Sequence, residues 1–220
     1  MRRLVLLVVA VLVAACGGDD GDGAADAAAF VPTEVADDCL LRLHGKGGDG
    51  AAPRVDDDVL VISPRGNAAG WDAFQWDYRT EGGFADARGI VLNALNRAQC
   101  QRVVVHGFSN GAAMAAALAC DPGFRGGPVV GYVIDDPVTD DVPVGCTPDP
   151  AADVALYWTG ALPGLAPAGS ACDAVDWTCL GDTVRSIDEY ARDLGVDWQP
   201  SIREDHRWYD DPPEIAAWLN

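Results

Sequence analysis

The chain has 220 residues and a formal net charge of −19, because 34 acidic residues outweigh 15 basic ones. A surface of that sign repels phosphate groups, which argues against nucleic acid and anionic lipid headgroups as direct electrostatic partners. Hydrophobic residues make up 49% of the chain, enough to fill the core of one domain of about 190 residues.

The first 15 residues have the pattern of a secretory signal peptide. Arg2 and Arg3 precede an apolar run over residues 4–15, which is too short to cross a bilayer as a helix. The run ends in Val-Ala-Ala-Cys-Gly, which resembles a bacterial lipobox, so we expect cleavage before Cys16 and lipidation of its sulfur. The alternative is an ordinary signal that leaves Cys16 free or in a disulfide. Lipidation implies an exported lipoprotein on the periplasmic or extracellular face of a bacterial membrane.

A flexible tether is predicted at residues 16–30. Residues 17–29 are only Gly, Asp and Ala, so they cannot bury a core. We therefore divide the chain into a signal peptide at 1–15, this tether, and one folded domain at 31–220.

Six cysteines remain after Cys16, an even number that suits up to three disulfides in an oxidising compartment. The pairing stays open, but Cys172 with Cys179 closes a short loop and Cys120 could reach Cys146. The spacing of cysteines and histidines fits no zinc site. We therefore expect neither a metal nor a cofactor.

Apolar strand patterns alternate with helical patterns along the folded domain. The predicted strands cover residues 39–44, 58–63, 102–106, 129–134, 154–158 and 196–202. The predicted helices cover residues 84–100, the Ala-rich stretch that follows the third strand, residues 187–194, and a terminal segment that starts at Pro212. This alternation predicts an α/β fold with a mostly parallel sheet of about six strands and helices on both faces.

The segment Gly-Phe-Ser-Asn-Gly at residues 107–111 joins a Val-rich strand to an Ala-rich helix. This is the setting of a G-x-S-x-G nucleophile elbow, which displays its serine in a tight strand-to-helix turn. Gly107 and Gly111 suit such a turn because a Cβ at either position would obstruct it. We predict Ser109 as a nucleophile; the alternative is an ordinary Gly-rich turn.

Three segments together resemble the α/β-hydrolase superfamily. They are the elbow, Leu-His-Gly-Lys-Gly-Gly at residues 43–48, and Asp-His-Arg-Trp at residues 205–208. Within the superfamily, the chain is most similar to the secreted polyhydroxybutyrate depolymerase and feruloyl esterase group. The resemblance implies a compact α/β-hydrolase fold with a serine, an acid and a histidine in that chain order.

A serine hydroxyl needs a base to become a nucleophile and N–H donors to stabilise the oxyanion that forms. The resemblance implies His206 as the base, because it lies between the last predicted strand and the terminal helix. His44 and His106 are the alternatives. For the oxyanion hole, the resemblance implies the backbone N–H groups of Asn110 and Lys46.

The identity of the acid stays open. The strand at 154–158 is followed by Thr-Gly-Ala-Leu-Pro-Gly, where the superfamily usually has an aspartate. We favour Asp136, in an Asp-Pro pair after the preceding strand, because some lipases of the superfamily carry their acid there. Asp182 is the second choice. Three further carboxylates remain as alternatives: Asp135, Asp173 and Asp176.

The sequence as a whole predicts a lipid-anchored, monomeric serine hydrolase that cleaves carboxylic esters through an acyl-enzyme on Ser109. The segment 137–153 is too short for a large lid, which favours small or extended polymeric esters in an open site. The alternative is a surface lipoprotein that uses a hydrolase fold for binding without turnover, suggested by the missing aspartate.

Overall fold

The computed structural model describes residues 36–70, 72–139, 146–159, 186–201, 206–208 and 211–219. The predicted signal peptide, the tether and Cys16 lie outside these ranges, so their assignments stay predictions. No helix within the described ranges is long and apolar enough to cross a membrane.

A mostly parallel sheet is the centre of the fold. The strands are β1 (Asp38–Leu43), β2 (Ala51–Asp56), β3 (Val59–Ser63), β4 (Ala68–Ala69), β5 (Phe74–Gln75), β6 (Arg102–Phe108), β7 (Val129–Asp135), β8 (Asp153–Trp158) and β9 (Trp198–Pro200). The α-helices are α1 (Glu81–Ala98), α2 (Asn110–Cys120), α3 (Ile187–Leu194) and α4 (Pro213–Leu219), and a short 3-10 helix spans Pro122–Phe124.

Seven of these strands form one sheet in the order β2-β3-β1-β6-β7-β8-β9, while β4 pairs with β5 in a separate ribbon. All neighbours in the large sheet are parallel except β2, which runs antiparallel to β3. The carboxyl ends of β1, β6, β7 and β8 therefore meet along one edge of the sheet.

Helices cover both faces of this sheet, as the sequence predicts. Alternate residues of a strand point to opposite faces, so Leu41 and Leu43 of β1 pack on one face and Leu40 on the other. The first face packs against α1, α2 and α3, and the second packs against α4 through Ile215 and Leu219. Burial on both faces explains why the central strands are nearly continuous apolar runs.

Two strands at the edges of the sheet differ from the sequence prediction. The sequence pattern does not predict β2, because Pro53 lacks a backbone N–H and charged residues follow it. An edge strand tolerates both features, and β2 is exposed along most of its length. At the opposite edge, β9 covers only Trp198–Pro200, shorter than the predicted 196–202.

Capping residues fix the helix boundaries. Helix α1 begins at Glu81, three residues earlier than predicted, because the hydroxyl oxygen of Thr80 accepts a hydrogen bond from the Gly83 N–H at 3.0 Å. Helix α3 has the predicted bounds, and Ser186 and Glu189 form a reciprocal capping box at its start.

Two disulfides link the described cysteines. Cys120 pairs with Cys146, as the sequence suggested, and Cys39 pairs with Cys100. The Cys39–Cys100 bridge joins β1 to the segment just after α1, across a sequence separation of 61 residues. The suggested pair of Cys172 and Cys179 lies outside the described residues.

Two glycines allow β6, α2 and the end of β1 to pack closely. A Cβ at Gly107 would overlap the carbonyl oxygen of Gly111, and a Cβ at Gly111 would overlap the carbonyl oxygens of Leu43 and His44. These neighbours are backbone atoms, which cannot move without displacing a strand. Gly107 is thus required by the contact between β6 and α2, and Gly111 by the contact between α2 and the end of β1.

Replacement of Gly111 by alanine is expected to lower the free energy of unfolding by about 2–3 kcal/mol, because the new methyl group overlaps backbone. Gly89 is the matched control: it lies inside α1, and a Cβ there would meet no heavy atom within 4 Å. Gly89→Ala should raise the free energy of unfolding by about 0.5–1 kcal/mol through its helix propensity. Urea unfolding of the three proteins measures both changes, and equal midpoints for Gly111→Ala and wild type would contradict this packing.

Candidate active site

Ser109 stands between β6 and α2 in a conformation that a non-glycine residue rarely adopts, with φ 55° and ψ −117°. Backbone hydrogen bonds hold it there: its N–H donates to the Asp135 carbonyl at 3.0 Å, and its carbonyl accepts from the Ala113 N–H at 3.1 Å. Its side chain does not cap α2. This is the geometry of a nucleophile elbow, with the positive end of a helix dipole directly behind the serine.

His206 and Asp136 meet although 70 residues separate them in the chain. Nδ1 of His206 lies 2.5 Å from Oδ2 of Asp136, within hydrogen-bond distance, so the ring nitrogen donates to the carboxyl oxygen. The Asp136 side chain is fully buried, and that of His206 is 12% exposed. The structure therefore brings together the histidine and the acid that the sequence analysis favours.

Thr159 completes the surroundings of the Asp136 carboxylate. Its backbone N–H donates to Oδ1 at 3.0 Å, and its hydroxyl donates to Oδ2 at 2.6 Å. Asp136 itself has φ 53° and donates its backbone N–H to the Tyr157 carbonyl at 2.9 Å. With the bond from His206, the buried carboxylate accepts three hydrogen bonds, which compensate for its removal from water.

The ring of Phe108 connects His206 to the elbow. The two rings are stacked with centroids 4.6 Å apart, and Phe108 directly precedes Ser109. On its other side, Phe108 makes an edge contact with Trp208 at 5.7 Å. The imidazole is therefore held beside the serine turn, with Nδ1 toward Asp136 and Nε2 on the other side of the ring.

The loop after β1 lies against the same turn. The Gly45 carbonyl accepts from the Gly48 N–H at 3.0 Å and from Nδ1 of His44 at 2.8 Å. Because the N–H of a trans peptide points opposite to its carbonyl, these bonds also set the direction of the Lys46 N–H. An ideal Cβ on Gly45 would lie 3.3 Å from Cβ of Ser109, so the loop and the elbow are in contact.

The Asn110 side chain has a role that the sequence analysis misses. Its Oδ1 accepts from the Trp76 N–H at 2.6 Å, and its Nδ2 donates to the Trp76 carbonyl at 3.1 Å. The Trp76 indole N–H in turn donates to the His44 carbonyl at 3.2 Å. Through Trp76, Asn110 thus joins the elbow to the loop after β1. The one sequence feature that could have indicated this role is the presence of asparagine, a weak helix former, in the first turn of a helix.

His44 is excluded as the base by its own hydrogen bonds. Its Nδ1 donates to the Gly45 carbonyl, and its Nε2 accepts from the Gly66 N–H at 3.0 Å, so the ring is a neutral tautomer held by backbone. Burial lowers the pKa of His44 by more than the Gly45 hydrogen bond and the Asp49 charge raise it. His44 therefore supports the loop after β1.

His106 belongs to a separate buried cluster. Its Nε2 lies 3.4 Å from Oδ2 of Asp135, its Nδ1 lies 3.4 Å from Oδ1 of Asp211, and its ring centroid is 4.7 Å from that of Trp208. Arg42 pairs with Asp211. Burial raises the pKa of Asp211, but the contact with His106 and the Arg42 charge outweigh this and lower it. The adjacent residues Asp135 and Asp136 therefore serve different histidines.

Three of the alternative acids, Asp173, Asp176 and Asp182, lie outside the described residues. Within the described part of the chain, no group of three or more His, Cys, Asp or Glu side chains could hold a metal ion.

Comparison with known proteins identifies the fold. No protein-family model matches the chain, and no curated protein matches it. Among solved structures, it is similar to a Bacillus cereus carboxylesterase, with a TM-score of 0.50, 19% identity, and coverage of 84% of this chain and 86% of that chain. It is also similar to an Agrobacterium tumefaciens protein of unknown function, with a TM-score of 0.52, 20% identity, and coverage of 83% and 89%.

These similarities show that the chain has an α/β-hydrolase fold, as its sequence motifs indicate. The finer resemblance to polyhydroxybutyrate depolymerases and feruloyl esterases stays a prediction.

The lowered pKa of His44 predicts a loss of stability in acid. The unfolded chain binds a proton on this residue near its ordinary pKa of 6.5, whereas the native state resists that proton. The contribution of His44 is therefore complete above this pH and is lost as the pH falls through the lowered native value. His44→Gln, whose oxygen can still accept from the Gly66 N–H, removes the titration.

Thermal unfolding between about pH 7.5 and about pH 5 measures this effect. We expect wild type to lose stability relative to His44→Gln as the pH falls. A constant difference between the two proteins across this range would contradict the assignment of a neutral, buried His44.

Proposed function

We propose that this chain is a serine hydrolase that cleaves carboxylic esters through an acyl-enzyme on Ser109. The observation that carries the proposal is the 2.5 Å hydrogen bond between His206 and the buried Asp136, with the His206 ring stacked on Phe108, the residue before a serine in the strained elbow conformation. A serine, a histidine and an acid at the carboxyl edge of a parallel sheet are the parts that nucleophilic acyl transfer requires.

In the proposed mechanism, Ser109 Oγ attacks the ester carbonyl while Nε2 of His206 removes the hydroxyl proton. The carbonyl oxygen becomes an oxyanion, which accepts hydrogen bonds from the backbone N–H groups of Lys46 and Asn110. His206 then returns the proton to the departing alcohol, leaving the acyl group on Ser109. Water activated by the same histidine releases the carboxylic acid and restores the serine hydroxyl.

Asp136 contributes to this mechanism through its hydrogen bond with His206. By accepting from Nδ1–H it keeps the imidazole in the tautomer whose Nε2 can take a proton, and it stabilises the imidazolium that forms. Its complete burial keeps water from competing for that hydrogen bond. The adjacent Asp135 does not meet this requirement, because it contacts His106.

The substrate and location form the finer part of the proposal. Similarity of fold to a carboxylesterase supports an ester, and we propose small or extended esters as the class. We also propose that the protein is exported, anchored by a lipid on Cys16, and active as a monomer without a cofactor. The bridges Cys39–Cys100 and Cys120–Cys146 suit an oxidising compartment, which supports export.

The test is labelling of the purified mature protein with a fluorophosphonate probe, combined with turnover of p-nitrophenyl acetate and butyrate. Wild type should be labelled and should release p-nitrophenol, and Ser109→Ala should lose both because the probe reacts only with an activated serine. Ser63→Ala, at the end of β3, is the matched control and should behave as wild type.

Absence of labelling and turnover in a folded wild-type protein would refute the proposal. That outcome would favour a surface lipoprotein that binds ligands without turnover. Labelling that persists in Ser109→Ala would instead show that another serine is the reactive nucleophile.

A further inference from the structure

We propose that Thr159 is a positioning residue for the acid of this site: its hydroxyl and backbone N–H hold the Asp136 carboxylate in the plane that meets Nδ1 of His206. This inference rests on the proposed function for its effect on catalysis. The contact itself can be tested in the resting protein, without turnover.

Thr159 donates a hydrogen bond to each oxygen of the Asp136 carboxylate. The backbone N–H binds Oδ1 at 3.0 Å, and the hydroxyl binds Oδ2 at 2.6 Å. The final torsion of an aspartate side chain is broad and only loosely restrained by its own rotamer preference. Two donors from one residue fix that torsion, because rotation of the carboxylate would break both bonds.

Thr159 and His206 share one acceptor, Oδ2 of Asp136. The histidine Nδ1 lies 2.5 Å from the same Oδ2 that accepts from the threonine hydroxyl. With Oδ1 occupied by the Thr159 N–H, Oδ2 is directed at the imidazole. The position of Thr159 therefore decides which carboxylate oxygen meets the histidine.

The sheet restrains the contact between Thr159 and Asp136. Strands β7 and β8 are parallel neighbours, with Asp135 in register with Tyr157. The ladder continues past the strand end, because the Asp136 N–H donates to the Tyr157 carbonyl at 2.9 Å. Thr159 directly follows β8 and Asp136 directly follows β7, so the two residues extend from adjacent strands of the same buried sheet.

A conservative pair of variants separates the hydroxyl from the rest of the side chain. Thr159→Val keeps the branched shape and the backbone N–H but removes the hydroxyl donor. Thr159→Ser restores the hydroxyl and removes only a methyl group. Thermal unfolding of both variants verifies that each is folded before the other measurements are made.

The kinetic readout is the split between kcat and KM on p-nitrophenyl acetate. Loss of a hydrogen bond to a charged group near the reacting atoms should lower kcat about ten-fold in Thr159→Val. KM should stay near the wild-type value, because Thr159 contacts the acid and not the substrate. Thr159→Ser should recover most of the lost kcat, a recovery that a purely packing role would not produce.

The spectroscopic readout is the far-downfield proton resonance of Nδ1–H of His206, assigned by its disappearance in His206→Gln. A fixed carboxylate slows exchange of this proton with water, so the resonance should be sharp in wild type and Thr159→Ser. In Thr159→Val it should broaden or vanish. An unchanged resonance together with an unchanged kcat in Thr159→Val would overturn the proposal.

The two readouts keep this inference distinct from the proposed function. A resonance that responds to Thr159→Val in a protein without esterase activity would support the positioning contact and refute the esterase. Turnover in wild type, with no response of either readout to Thr159→Val, would support the esterase and refute the positioning role of Thr159.

Discussion

The hydrogen bond between His206 and Asp136 is the interaction on which the site depends, and the parallel sheet makes it possible. Ser109 follows β6, Asp136 follows β7 and Thr159 follows β8, so these residues lie together at the carboxyl ends of three adjacent strands. His206 lies after β9 in the chain and reaches this edge by stacking on Phe108. Residues that are distant in sequence therefore meet because parallel strands place equivalent ends side by side.

The site concentrates conformational strain and buried charge, and hydrogen bonds compensate for both. Ser109 and Asp136 each have positive φ, at 55° and 53°, and each is held by backbone bonds to a neighbouring strand. The buried Asp136 carboxylate accepts three hydrogen bonds, two of them from Thr159. The second buried pair, His106 with Asp135, packs against Trp208, two residues after His206, and Trp208 also contacts Phe108.

The elbow and most of the sheet could be predicted because their signals are local. Gly107, Ser109 and Gly111 lie within one turn, and buried strands show as short apolar runs. The role of Asn110 could not be predicted, because its partner Trp76 is 34 residues away and helix propensity does not reveal contacts. In the sequence, only the resemblance to lipases favours Asp136 over Asp135. The contacts that distinguish the two aspartates, Asp136 with His206 and Asp135 with His106, join residues far apart in the chain and are visible only in the structure. Edge strand β2 was missed because its exposure leaves no apolar pattern.

Kinetics of two neighbouring variants would test the central claim, that Asp136 and His206 act as the acid and base of an ester-cleaving site. Asp136→Asn and Asp135→Asn make the same chemical change in adjacent buried residues, so destabilisation is matched as closely as the chain permits. We predict that kcat on p-nitrophenyl acetate falls about 10³–10⁴-fold in Asp136→Asn, because the wrong tautomer of His206 is favoured, and changes little in folded Asp135→Asn. Equal losses in both variants, or wild-type turnover in Asp136→Asn, would contradict the account.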